Sequence, residues 1–334
     1  MKNKIIKNTI TFILIVATIN VLNFMFDSAN SLVGVTIVII AMIAMGSDLY
    51  KTPLQNFFIL ATINVTLGIL SKLASMNIWI GLFINFVSLA SIGYFLSFTL
   101  NKMFVVPFGL EYLFMLYAPV SGVVYYKRIG ELIFGAALVI LLQWITHIKK
   151  GSVQKSEVFV FKEEDYRYKE LSVLNKTFKV SQIRANYAIR IGILTALTAF
   201  IVTYFKLTEG RWISYTVFSL TELYAEHCKI RSKQRMQGTI IGGVIVLVLF
   251  TIFKATFWRA LILLLAGYLN PFADNYRDSM VLVTISAVAS IGLTSGGALI
   301  PTLERLCFVA LGCIISLLAN RFILNTPLKH NAAN

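Results

Sequence analysis

The chain has 334 residues, of which 57% are hydrophobic and only 13% charged, and its mean hydropathy is +0.78. Soluble domains carry roughly 25% charged residues, so a soluble surface, a coiled coil, a disordered tail and a disulfide-stapled secreted fold are all excluded. The charge is lopsided, 30 Lys and Arg against 15 Asp and Glu; with no basic stretch interleaved with exposed aromatics, it points to basic cytoplasmic loops of a membrane protein rather than to nucleic acid.

In chain order, Lys2, Lys4 and Lys7 precede an apolar run that reaches Phe26. The layout resembles a signal peptide, but Asp27-Ser28-Ala29-Asn30 is a poor cleavage site and more spans follow, so a retained first helix is expected. Further apolar runs cover 31–46, 54–71, 78–100, 103–124 and 129–148, then 187–205, 212–224, 236–253, 257–270, 280–300 and 306–324. A helix needs about 20 residues to cross the hydrocarbon, so 212–224 and 257–270 are short enough to be re-entrant or broken. With twelve crossings and the N-terminus inside, 21 of the 30 basic residues fall on the cytoplasmic side, eight outside, and Arg190 in a span. That bias favours this orientation, with both termini cytoplasmic.

Residues 149–186 form the one long polar segment, expected to be a cytoplasmic linker with some helix. It divides the chain into membrane halves 1–148 and 187–334. A shift of 177 residues lays one half on the other without a gap and places Arg128 on Arg305 and Gly135 on Gly312. The fold class expected is all-α: a polytopic transmembrane bundle of about twelve spans in two parallel six-helix repeats.

No enzyme motif is present. There is no GxxxxGK[ST] phosphate loop, and the three cysteines, Cys228, Cys307 and Cys313, give neither a disulfide framework nor a metal spacing. Glu226-His227-Cys228 offers potential ligands, but adjacent residues point to different sides of a helix, so neither a metal nor a cofactor is expected. The Asn64 and Asn175 sequons are chance matches. Gly46-Ser47-Asp48 begins like the major-facilitator loop signature and then departs from it.

Several residues admit both a functional and a plain structural reading. Arg190 lies about a turn inside the seventh span, where a cation costs about 2.5–3.5 kcal/mol. It faces the bundle interior to meet an anion, or snorkels to the headgroups. Arg128 and Arg305, at outer ends against the charge bias, either funnel an anion or pair with Glu131 and Glu304. Gly238, Thr239 and Gly242 form a small-residue face for close helix packing; after Lys229, Arg231, Lys233 and Arg235 they also fit an anion-collecting mouth. Trp212 and Tyr215 are interfacial aromatics or stack on an aromatic substrate. Glu111 and Glu222, the carboxylates deepest in apolar runs, either carry a coupling proton or pair with a buried Arg. The short runs 31–46 and 212–224 stand at corresponding places in the two halves, the pattern of interrupted helices at a transporter site.

One ordered series stands out: Ala188-Ile189-Arg190 enters a helix, and Trp212 starts the next with Thr216 one turn on. Arg235-Met236-Gln237-Gly238-Thr239 with Gly242 opens the third, and Arg305-Leu306 precedes Gly312 in the last. Over residues 181–324 this resembles the fusaric acid resistance family, which includes bacterial aromatic acid exporters and is related to plant aluminium-activated malate channels. The first half matches only in span layout and in Arg128 and Gly135. The resemblance implies a proton-coupled secondary exporter of organic anions such as aromatic carboxylates, in a bacterial cytoplasmic membrane. Its candidate substrate contacts are Arg190, Trp212, Tyr215, Thr216, Arg235, Thr239, Arg305 and Arg128; Glu111 and Glu222 are the candidates for the proton. Gly135, Gly238, Gly242 and Gly312 are helix-packing positions. A passive anion channel and a non-transporting envelope scaffold are the alternatives. The expected partners are a small organic anion and the bilayer, with a homo-oligomer left open; nothing in the sequence supports periplasmic partners.

Overall fold

The computed structural model describes residues 2–45, 52–97, 100, 102–150, 168–173 and 176–324. Gly46-Ser47-Asp48, Asn175 and half of the 149–186 linker lie outside the described residues. Among the described residues the chain is helical apart from one hairpin. Its helices are α1 (Lys2–Phe26), α2 (Ser31–Ala44), α3 (Pro53–Met76), α4 (Ile78–Phe95), α5 (Val105–Tyr117) and α6 (Gly122–Lys150). After the hairpin come α7 (Gln182–Tyr204), α8 (Arg211–Leu220), α9 (Ala225–Ile252), α10 (Thr256–Leu269), α11 (Tyr276–Ser295) and α12 (Leu299–Phe322).

Local chemistry sets several ends. Pro53 sits in the first turn of α3, where its missing N–H costs nothing. Asn77 caps α4 by accepting from the N–H groups of Trp79 and Ile80, and Asn275 caps α11 by accepting from Asp278 N–H. Gly296 closes α11 in the left-handed region at φ 78°.

Eight of these helices are long and apolar enough to cross a membrane, which makes this a multi-pass membrane protein. The remaining four are shorter. Helix α8 has 10 residues, which rise only about 15 Å against a hydrocarbon thickness of about 30 Å. It ends at Leu220, and residues 221–224 are non-helical before α9 begins. The basic cluster Lys229–Arg235 therefore lies on α9 itself rather than in a loop ahead of it. Helix α10, with 14 residues, is also short.

Within the linker, residues 149–150 end α6 and 182–186 begin α7. Between them lies an antiparallel hairpin that the expectation did not include, β1 (Tyr168–Val173) with β2 (Lys176–Ser181), registered Tyr168 to Ser181 and Val173 to Lys176. Thr177, Phe178 and Val180 supply the β-branched and aromatic character that favours strand over helix here.

The chain folds as two compact units. The N-terminal unit is Leu14–Phe200, and the C-terminal unit is Met1–Ile13 with Ile201–Asn334. In the N-terminal unit, α2 packs on α5 and α6, and α3 on α4, α5 and α6. Helix α7 lies along α4, where an added Cβ on Gly93 would meet Ala188 and Ile191. In the C-terminal unit, α9 packs on α11 and α12, α12 on α8, and α10 on α11. Its apolar core joins Val246 and Phe250 to Ile262, Ile285 and Val288. The start of α1 lies along α10, with Phe12 edge-on to Tyr268 at 5.5 Å.

Candidate functional site

Several polar side chains of the C-terminal unit gather along one face of α8. Trp212, Tyr215, Thr216 and Ser219 recur at spacings of three and four, which stacks them on one side of a helix. That side turns toward α12 and α9. The close approach of α12 depends on Gly312: a Cβ there would lie 2.7 Å from Thr216 Cβ and 3.2 Å from the Ile213 carbonyl oxygen. Helices α9 and α11 come together in the same way, since Cβ atoms on Gly238 and Gly242 would each fall 2.6 Å from a carbonyl oxygen, those of Arg277 and Val281.

Arg305 lies at one end of this face. Its guanidinium is centred 3.9 Å from the Trp212 ring, and its side chain is only 2% exposed. Nε reaches Thr284 Oγ1 at 3.4 Å, while Nη1 is buried with no hydrogen-bond partner. Trp212 is fixed from the other side, because its Nε1 donates to Glu209 Oε2 at 3.0 Å. Glu209 is itself clamped by Arg211 at 2.8 Å. Tyr215 stands edge-on to Trp212 at 5.5 Å. A cation–π contact contributes up to about 2 kcal/mol when desolvated, which offsets only part of the cost of a buried cation without an ion-paired anion.

One turn along, Thr216 is fully buried and its Oγ1 has no partner. Further on, Arg235 Nη1 donates to Ser219 Oγ at 2.7 Å and to the Tyr276 hydroxyl at 2.9 Å. Arg231, one turn before Arg235 on α9, stacks over the Tyr276 ring at 4.4 Å and pairs with Glu222 at 3.0 Å. The face thus carries a cation near each end and hydroxyls between, with donor atoms on Arg305 and Thr216 left open.

The other expected site residues are placed differently. Thr239 is buried, and its hydroxyl donates to the Arg235 carbonyl oxygen on its own helix at 2.8 Å. Arg190 and Arg128 belong to the N-terminal unit. Arg190 is fully buried on α7. Arg128 is 3% exposed; Nε donates to Asn30 Oδ1 at 2.8 Å and Nη2 to the Ala29 carbonyl oxygen at 3.5 Å, so its hydrogen bonds go to these groups rather than to Glu131. Glu111 is fully buried in the same unit, and neither its carboxyl oxygens nor those of Glu131 have a hydrogen-bond partner. Gly135 receives Ile37 of α2, whose side chain would lie 2.7 Å from a Cβ there.

Five participants were not singled out from the sequence: Glu209, Ser219, Tyr276, Thr284 and Asn320. Ser219 had a signal, since it continues the 212, 215, 216 spacing by one more turn. Glu209 stands just ahead of α8, Tyr276 and Thr284 come from α11, and Asn320 of α12 accepts from Glu222 N–H beyond the end of α8; nothing in their local sequence marks them.

With this geometry in view, the comparisons with known proteins fall on the same half of the chain. Residues 194–319 match the family model described as fusaric acid resistance protein-like. These residues are similar to that family. The matched region takes in Trp212, Thr216, Arg235 and Arg305 and begins beyond Arg190. An uncharacterized protein of Haemophilus influenzae is 28% identical over 142 residues. Those residues are 41% of this chain but 19% of that protein, so the chain spans about a fifth of its relative's length. No solved structure matches.

Proposed function

We propose that this protein is a secondary exporter of organic anions, aromatic carboxylates among them, and that the anion passes along the polar face of α8. The observation that carries the reading is Arg305: a buried guanidinium stacked on Trp212 with Nη1 unpartnered. An aromatic carboxylate offers both complements such a site lacks, an anionic oxygen for Nη1 and a ring to lie against Trp212 and Tyr215. Thr216 supplies a hydroxyl on the way, and Arg235 a second cation.

In this reading the chain is an inner-membrane protein of two six-helix halves, 1–148 and 187–334, with both termini and the 149–186 linker in the cytoplasm. Proton coupling is assigned to Glu111, whose buried carboxyl has no hydrogen-bond partner to hold it in one charge state. Arg190 enters as a separate buried cation. The test is flux of labelled aromatic and aliphatic carboxylates in proteoliposomes, with and without an imposed pH gradient. Gradient-driven accumulation, lost in Glu111→Gln, supports the exporter. Flux that follows voltage alone makes the protein a channel, and no flux for any carboxylate, together with co-purification of another chain, makes it a scaffold.

A further inference from the structure

The stretch between α8 and α9 is irregular yet inside the protein. Thr221, Glu222 and Leu223 are at most 5% exposed, although 221–224 is non-helical. Non-helical backbone at membrane depth persists only where protein satisfies it or where it lines a cavity, and here Asn320 Oδ1 accepts from Glu222 N–H at 3.2 Å. The one charged residue of the stretch, Glu222, places Oε1 3.0 Å from Arg231 Nη1. The two partners differ sharply in burial. The Glu222 side chain is 6% exposed and that of Arg231 is 34% exposed.

In this pair the cation is 34% exposed, while its Nε is buried and has no hydrogen-bond partner. The carboxylate sits on the non-helical stretch between α8 and α9. Arg231 also opens a series of donors: Arg235 follows one turn along α9, and the open atoms Thr216 Oγ1 and Arg305 Nη1 lie along the α8 face.

We infer that Glu222 is a tethered counter-anion, which holds Arg231 when no solute anion is present and gives way there to the carboxylate of an incoming solute. Arg231 is then the entry position of the anion path, and Glu222 is its built-in competitor. This rests on the anion-exporter reading for its physiological meaning. The binding claim itself, that Arg231 accepts a free carboxylate once Glu222 is gone, can be tested without transport.

The experiment is thermal unfolding of the purified full chain in detergent, in sodium acetate against sodium chloride at equal ionic strength. Acetate stands in for the missing side-chain carboxylate. Glu222→Ala is expected to melt below wild type and to regain at least half of the loss in acetate but not in chloride. Wild type is expected to respond equally to the two salts, and adding Arg231→Gln to Glu222→Ala is expected to abolish the acetate effect. Equal responses to the two salts in Glu222→Ala, or an acetate effect that survives Arg231→Gln, would overturn the inference. If Glu222→Ala does not fold, Glu222→Gln keeps the volume, and the same acetate-specific stabilisation over wild type is required of it. Wild-type proteoliposomes that move no carboxylate would remove the exporter reading and leave the acetate result to decide the inference by itself.

Discussion

Helices α6 and α12 carry the same three features at positions 177 residues apart, and they use them differently. Each begins near an arginine, Arg128 or Arg305. Each then has a glycine, Gly135 or Gly312, that admits a second helix closely, α2 in one case and α8 in the other. Each finally has a buried amide side chain that ties down the end of that second helix: Gln143 donates to the Ala44 carbonyl oxygen, and Asn320 accepts from Glu222 N–H. The frame is shared, but the chemistry lodged in it is not. Arg128 is held by Asn30 and the Ala29 carbonyl, whereas Arg305 keeps Nη1 open and stacks on an aromatic ring. Gly135 meets an isoleucine, and Gly312 meets a threonine with an open hydroxyl. Matching packing thus frames a hydrogen-bonded arginine in one unit and, in the other, a partly open one on the face proposed to bind the anion.

The comparison can be broken first at the glycines. Gly312→Val and Gly135→Val each force a branched side chain into space already filled, which costs up to about 3 kcal/mol. Both should lower the melting temperature of the purified protein by similar amounts. A large loss in one and none in the other would show that the two frames are not alike. Next, Trp212→Leu removes the ring beneath Arg305 while keeping an apolar side chain. The loss of ring stacking between the solute and Trp212, worth up to about 1.5 kcal/mol, should weaken the apparent affinity for an aromatic carboxylate by up to about tenfold, with a smaller effect on acetate. An equal loss for both anions would make Trp212 a packing residue. The smallest effect is expected of Thr216→Val, which keeps the shape and deletes one hydroxyl, worth about 1 kcal/mol. It should raise the half-saturating anion concentration about fivefold and leave the melting temperature unchanged.

How much of this was legible in the sequence differs by level. The membrane class follows from 13% charged residues, and the apolar runs locate the helices because apolar length is what a bilayer demands. The face of α8 was partly visible, since Trp212, Tyr215 and Thr216 share a helical spacing. Its far side was not. Tyr276 looks like an ordinary residue at a helix start, and Thr284 like one hydroxyl in an apolar span; only folding brings them to Arg235 and Arg305. The Glu222 pairing was open between a proton carrier and an arginine partner, because sequence spacing does not fix where a carboxylate on a non-helical stretch will point. The hairpin at 168–181 was missed because mixed charges hid the strand character of Thr177, Phe178 and Val180.

The central claim is that the anion site belongs to the C-terminal unit and is centred on Arg305. It is tested most directly by carboxylate flux in proteoliposomes of Arg305→Gln and Arg128→Gln, beside wild type and matched for the amount of folded protein. The account predicts that Arg305→Gln abolishes flux while Arg128→Gln retains it. Flux that survives in Arg305→Gln, or that is lost equally in both, would contradict it.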